Sequence, residues 1–363
     1  MKKISAIASG LLLTSTLAFA GDTLDEAIKG GTVSGSLETY GIHTENKGGN
    51  PDTSMISGTV GLGYETDSYH GLSAKVSFLG VHVFHEKNDG DEDVEGNVIM
   101  QEANLNYQRD SFNLKVGRQE LALEWLQDYH EAYVAETTAL ENTSILVGYS
   151  DKSAMADADE FSEGFTKFNG KKGIYFADVI YTGIQDTELN AYYYNAPDLG
   201  SLYGIKAGYY MDNLEIFTQY ALTNEDTNST FEDGSIFHIK ADASLMGAPV
   251  SLGYVKTDKD GTGAVIGLEL GDNINPFEDG NKVYEPDART IYASIGYSVD
   301  DISLNVLYGQ TKYQNEKEKE LNISTEIEII DDVLEVGLLF VNVDANNSND
   351  DYQKYIFEVE YSF

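Results

Sequence analysis

The last ten residues, KYIFEVEYSF from Lys354 to Phe363, decide how the rest of the chain is read. Tyr355, Phe357, Val359, Tyr361 and Phe363 occupy one phase of a two-residue repeat, while Lys354, Glu358, Glu360 and Ser362 occupy the other. A pleated strand sends successive side chains to opposite faces, so this segment has one apolar and one charged face. The same period recurs upstream in segments of about ten residues. Ile56, Val60, Leu62 and Tyr64 oppose Ser57, Thr59 and Glu65; Leu321, Ile323, Ile327 and Ile329 oppose Asn322, Ser324, Glu326 and Glu328. A soluble sandwich would share this alternation.

The connections separate the two readings, because they alternate in length along the whole chain. Short ones fall at Asp67 to Gly71, Arg109 to Ser111, Leu140 to Asn142, Ile184 to Thr187, Asp212-Asn213, Met246 to Pro249, Val299 to Ile302 and Asp331-Asp332. Longer ones lie between them: His43 to Thr53, His85 to Asn97, Ala122 to His130, Lys152 to Lys172, Pro197 to Ser201, Glu225 to Gly234, Lys259 to Pro286, Thr311 to Lys317 and Asp344 to Tyr352. Short periplasmic turns and long extracellular loops are the habit of a bacterial transmembrane barrel. The expected fold is therefore all-β, a transmembrane antiparallel β-barrel of eighteen strands with both ends in the periplasm. Sixteen strands is the alternative if one weak hairpin does not form, and either size encloses an aqueous lumen.

The chain's first twenty residues fit this destination. Lys2 and Lys3 precede an apolar run from Ile4 to Leu17, and Ala18-Phe19-Ala20 precedes Gly21, so residues 1–20 read as a cleaved signal peptide. Residues 21–31 read as a periplasmic N-terminal segment and 32–363 as the barrel domain. No later stretch approaches a helical membrane span. The absence of cysteine excludes a disulfide framework. With 61 acidic against 23 basic residues, nucleic acid is excluded as a partner, and so much like charge suits long wet loops and a wet interior better than a packed core. Tyrosine and phenylalanine near strand ends, such as Tyr107, Phe112, Tyr181, Tyr209, Tyr297 and Tyr355, suit the aromatic girdles of a barrel.

Projecting the polar phase inward supplies the candidate pore-lining residues. These are Lys75, Glu102, Lys115, Lys206, Glu215, His238, Lys240, Asp242, Glu326 and Glu328, together with Glu65, Glu335, Lys354, Glu358 and Glu360. Acids outnumber lysines, and charge beside low-dielectric walls focuses the potential, so a mild cation preference is expected. Solvated loop acids bridged by divalent ions beside lipid phosphate are the bland alternative. Arg118 has two readings: strand phase with Leu114 and Val116 points it outward, whereas a bulge at Gly117 would swing it above the channel. Arg289 is placed at the outer rim, within reach of lipid phosphate.

Enzymatic signatures are absent. Asp89, Asp91 and Asp93 are spaced like a calcium loop, but Val94 stands at the obligatory glycine and Met100 at the bidentate glutamate. Only loose divalent binding, such as loop-bound Ca2+ on Asp89, Asp91, Asp93 and Glu95 or on the run Asp157 to Glu163, stays open; no other cofactor is expected. No nucleophile elbow, metalloprotease helix or phosphate loop occurs.

Several segments resemble the OprD-like porins, in particular the major outer-membrane porins of epsilonproteobacteria: LDEAIKGGTVSGSL (Leu24 to Leu37), LKVGRQEL (Leu114 to Leu121), EAYVAETTALENTSILVGY (Glu131 to Tyr149) and the closing FEVEYSF. The terminal Phe363 also resembles the C-terminal signature by which outer-membrane proteins are recognised for insertion. The resemblance implies a homotrimeric, eighteen-stranded outer-membrane channel among lipid and lipopolysaccharide, passing ions and small hydrophilic solutes by passive diffusion. In some members it is a selective channel for organic acids or amino acids. A structural or adhesive barrel with acidic binding loops is the further alternative. In that family the loop after the Gly-Arg-Gln strand commonly carries proline and a basic residue and narrows the pore. Here Ala122 to His130 (ALEWLQDYH) has neither and offers Glu124, Trp125, Asp128 and Tyr129. The expectation is that this loop is curtailed, and that the constriction is either acidic or supplied by Lys152 to Lys172 or Lys259 to Pro286.

Overall fold

The computed structural model describes residues 23–88, 91, 93–226, 232–261 and 273–363. The signal peptide expected at residues 1–20 lies outside them, as does Asp89. A short helix, α1 (Leu24–Gly30), begins with a capping box between Thr23 and Glu26. It is docked by Ala27, whose carbonyl accepts the Asp67 amide at 3.0 Å, and by the Tyr64 hydroxyl on the Ile28 carbonyl. The N-terminal segment thus carries a helix beneath the first periplasmic turn.

The strands are β1 (Thr32–Asn46), β2 (Thr53–Glu65), β3 (Leu72–Glu86), β4 (Asp93–Val94), β5 (Val98–Arg109), β6 (Phe112–Leu123), β7 (Leu126–Leu140), β8 (Thr143–Ala154), β9 (Glu160–Phe161) and β10 (Ile174–Ile184). They continue as β11 (Thr187–Ala196), β12 (Gly200–Met211), β13 (Leu214–Glu225), β14 (Gly234–Leu245), β15 (Ala248–Thr257), β16 (Arg289–Val299), β17 (Ile302–Tyr313), β18 (Glu316–Ile330), β19 (Leu334–Asp344) and β20 (Tyr352–Ser362). All except β4 and β9 form one 18-stranded sheet in which each strand pairs antiparallel with its neighbours. The sheet closes where β1 pairs with β20, Ser36 opposite Ser362 through Asn46 opposite Tyr352. Closure leaves no unpaired edge, which a hydrocarbon environment demands. Eighteen strands are present, so the sixteen-strand alternative falls.

The periplasmic turns form where the sequence places residues that tolerate a left-handed backbone. Asp110, Asn142, Asp186, Asp300 and Asp332 all have positive φ between 49° and 57°. Short polar side chains bond locally in that conformation, which makes these turns legible in sequence.

The outer connections need a correction. Three of the nine expected to be long are as short as the turns below: Glu124-Trp125 between β6 and β7, 197–199 between β11 and β12, and Gln314-Asn315 between β17 and β18. Strands β7 and β18 instead run to fifteen residues each. The long connections are 87–97, 155–173 and 258–288, and the first two touch through the parallel pairing of β4 with β9.

Outside, each of the eighteen barrel strands exposes at least one large apolar side chain, from Leu37 and Val60 through Ile205, Leu252 and Ile291 to Leu338 and Tyr361. An apolar belt of that extent has no stable place in water. Among the described residues no helix is long and apolar enough to cross a membrane, so the strands do the crossing.

Candidate functional site

The pore begins with the β6–β7 hairpin. Its strands are paired along their full length, from Phe112 opposite Thr137 to Leu123 opposite Leu126. Pairing between β5 and β6, however, stops at Ala103 opposite Arg118, while β5 continues against β3 as far as Val98 opposite Gly80. At Gly117 φ is +123°, and a side chain there would run into the Ala103 carbonyl. Beyond this glycine the hairpin leaves the wall and enters the lumen. Its tip buries Leu121, Trp125 and Leu126 in an apolar cluster with inward residues of the far wall, including Tyr194, Leu202, Ala221, Ile236 and Val255. The expectation of a curtailed loop is overturned: Ala122 to His130 is an inward hairpin that narrows the pore.

Glu124 fixes the tip. Its carboxylate accepts from Lys206 Nζ of β12 at 2.6 Å and from Gln219 Nε2 of β13 at 2.7 Å; Gln219 also donates to the Tyr192 hydroxyl at 2.9 Å. Lys206 lies 5.2 Å from the centre of the Phe217 ring. The 258–288 segment clasps the same tip, with Asn273 Nδ2 donating to the Leu123 and Glu124 carbonyls at 3.2 Å. It continues to Phe277, packed edge-on against Tyr292, and to Asp279, which pairs with Lys354 and accepts from the Tyr352 hydroxyl.

The 155–173 segment fills a third sector. Ala158 packs on Tyr40, Met55, Leu339, Val341 and Ile356, and its carbonyl accepts from Ser57 Oγ at 2.5 Å. Phe161, fully buried, packs with Leu79, Val81 and Ile99. Hairpin, 155–173 and 273–288 therefore each bury an apolar face against the wall. Their carboxylates are left near one another: Asp157 lies within electrostatic range of Asp159, Asp128 and Glu120, and Tyr40 within range of Asp159, Glu278, Glu358 and Glu38. Carboxylates thus gather where these segments meet the wall.

Below them runs a row that only strand register creates. Glu328 faces Glu335, Glu335 faces Glu360, and Glu360 faces Glu38, four glutamates side by side across β18, β19, β20 and β1. One step toward the outside, Glu326 and Glu358 flank Gly337. Like charges directly opposite on a sheet destabilise it, and they are tolerable where water and counter-ions reach them.

The other candidates are placed as follows. Lys75 pairs with Glu102 at 2.6 Å, and Lys240 with Asp242 at 3.1 Å. Lys115, in the inward phase of β6, and Glu215, in that of β13, lie toward the periplasmic turns with Glu326 and Glu328, away from the constriction. His238 is buried, its Nε2 2.8 Å from the Tyr292 hydroxyl and its ring edge-on to Phe217. Asp128 sits on the hairpin opposite Leu121 with φ +71°.

Arg118 keeps the outward strand phase, opposite Glu131, and the register runs on without a bulge. Because the hairpin peels from the wall here, the guanidinium enters the resulting seam. It donates to Glu131 at 3.1 Å and to the Met100 carbonyl at 3.2 Å, beneath the Phe165 ring. Arg289 pairs with Asp287 at 3.3 Å. Asp91 accepts from the Ser54 and Asn88 amides, Asp93 lies in β4, and the Glu95 amide donates to the Phe161 carbonyl. Among the described residues no three metal-binding side chains converge. Glu38, Glu278, Asp279 and Gln219 were not singled out by sequence, whereas Asp157 and Asp159 lie in the acidic run Asp157 to Glu163 that sequence reads as a loose divalent site.

Asp157 is pushed up to about 7, by burial first and then by Asp159, Asp128 and Glu120. An unfolded aspartate titrates at about 3.9, so the folded segment holds the extra proton between those values. The cost of its charge is fully present above pH 7 and vanishes as pH falls toward 4. Acidification should therefore steady this segment and remove a negative charge from the constriction. Cation preference, read as a reversal potential, should fall as pH is lowered through about 7, and Asp157→Asn should lessen that step. A pH-independent reversal potential in the unsubstituted protein would refute this.

Residues 30–219 match a family described as "Putative outer membrane protein". No curated protein matches the chain. Among solved structures, OccAB4 of Acinetobacter baumannii has a TM-score of 0.78 at 15% identity, over 92% of this chain and 98% of that one. OccK8 (OprE) of Pseudomonas aeruginosa has 0.75 at 14%, over 93% and 99%, and OpdK of Pseudomonas aeruginosa, solved with vanillate, has 0.73 at 14%, over 91% and 98%. At such identities the likeness is one of fold, and it is the fold that the OprD-like resemblance implied.

Proposed function

The chain belongs to this outer-membrane protein family, and from that premise we propose that it is a passive porin for ions and small hydrophilic solutes, with a preference for cations. The observation that carries the preference is the glutamate row Glu328, Glu335, Glu360 and Glu38 beneath the carboxylates gathered where the inward segments meet the wall. Aligned negative charge in a water-filled bore between low-dielectric walls raises the local cation concentration and repels anions. Apart from Lys115 near the periplasmic turns, the inward cationic side chains lend little opposition. Lys75, Lys206, Lys240, Lys354 and Arg118 each sit in an ion pair with a carboxylate. That pairing also speaks against a channel selecting organic acids, which would need cationic groups open to the bore.

Transport here is diffusion, with no reaction and no catalytic residue. Purified protein in a planar bilayer should give persistent stepwise openings and a reversal potential of cation-selective sign in a salt gradient. Steps grouped in threes would support the homotrimer that the resemblance implies. Silence in the bilayer would refute the porin reading, and an anion-selective potential would refute the preference alone.

A further inference from the structure

The lumen is not filled evenly. The largest apolar cluster joins the hairpin tip to inward residues of β10 through β17, with Ile274, Phe277 and Val283 of the 258–288 segment added from above. Within it Leu126, Ala221 and Ile236 are fully buried, which is the packing of a protein core and not of a water-filled bore. The glutamate row lies on the other side, on β18 to β20 and β1, where Asp159 and Glu278 of the inward segments also come within range of Tyr40. The Glu124 carboxylate, buried between Lys206 and Gln219, holds the hairpin's tip across the lumen to the far wall. A buried charge-assisted pair of this kind is costly to break from one side only, because the partner is left buried and unpaired.

We propose that Glu124 is the positioning residue of the pore: its bridge to Lys206 and Gln219 seals the β10–β17 sector and confines conduction to the glutamate-bearing sector. This rests on the porin reading above. Glu124 touches no passing solute; it acts through the hairpin, and so sets both the width of the bore and how strictly ions must pass the glutamates. The sealed side follows from local sequence: Leu121, Trp125 and Leu126 bring apolar bulk, and Glu124 supplies the anchor.

The test uses single-channel recording of the full-length protein. Glu124→Ala should raise conductance about twofold, since the sealed sector is bounded by eight of the eighteen strands, and should weaken cation preference. The exchanged pair Glu124→Lys with Lys206→Glu should restore both values, which mere damage to the hairpin would not allow. Should Glu124→Ala fail to assemble, Glu124→Gln, which keeps an acceptor but no charge, should move the same readouts in smaller measure. The chain contains no cysteine, so single cysteines report access directly. A membrane-impermeant cationic thiol reagent should reduce current through Glu358→Cys and leave Ala221→Cys unaltered until Glu124→Ala is added. Equal reaction of Ala221→Cys with and without Glu124, or unaltered conductance and selectivity in Glu124→Ala, overturns the proposal. A silent unsubstituted protein overturns the porin reading instead.

Discussion

Replacing Glu38, Glu358 and Glu360 together by glutamine is expected to remove most of the cation preference of the channel. The three carboxylates stand on adjacent strands, Glu38 opposite Glu360 and Tyr40 opposite Glu358, at the sector left open by the hairpin. A unit charge about 10 Å from a passing ion in water contributes about 0.4 kcal/mol, so three together shift the local cation concentration by roughly an order of magnitude before screening. The effect should therefore be measured at low salt, where the screening length is comparable to the bore. Glutamine keeps the volume and the strand, and removal of opposed like charges should leave the barrel as stable as before or more so. A reversal potential in the triple variant equal to that of the unsubstituted protein would place the selectivity elsewhere, in the loops above. A partial loss that becomes complete with Asp157→Asn would assign the rest to the constriction.

Deleting Phe363 should abolish most barrel assembly. The last residue closes the cylinder: the Gly35 amide donates to the Phe363 carbonyl at 2.9 Å, and the Phe363 amide donates to the Gly35 carbonyl at 3.0 Å. The Phe363 ring lies over Gly35, where any side chain on residue 35 would collide with it. In hydrocarbon an unpaired backbone group costs several kcal/mol, far more than a hydrogen bond contributes in water. The expected result is loss of the heat-modifiable band that a folded barrel gives on a gel. Phe363→Tyr, which retains the ring and both backbone bonds, should assemble. Wild-type levels of folded barrel in the truncated chain would show that the seam closes without this residue.

Much of this architecture is written in local sequence. Strand alternation, the turn aspartates and the apolar outer phase act over two to four residues, so they specify the strands, their facing and the short periplasmic turns without reference to the rest of the chain. The ion pairs within one strand or one hairpin, such as Lys240 with Asp242, follow from the same periodicity. The departures have one physical cause. Residues 122–130 read as a loop because alternation fades there, with Ala122, Leu123, Trp125 and Leu126 all apolar. A strand covered on one face only must alternate, whereas a hairpin pushed into the lumen has apolar surroundings on more than one side. Arg118 could not be placed for the same reason, since its phase is outward but its wall partner ends at that residue.

Sequence by itself determined the class of the fold and the facing of its strands, and narrowed the strand number to eighteen or sixteen, which barrel closure then decided. Tertiary structure alone decided which acids meet. The row from Glu328 to Glu38 needs the register of three strand pairs, including the seam that joins the two ends of the barrel. The bridge from Glu124 to Lys206 and Gln219 needs the hairpin to cross the lumen. Both depend on contacts between segments far apart in the chain, whose geometry is set by barrel closure and by the packing of apolar surface, and neither leaves a periodic trace in the residues themselves.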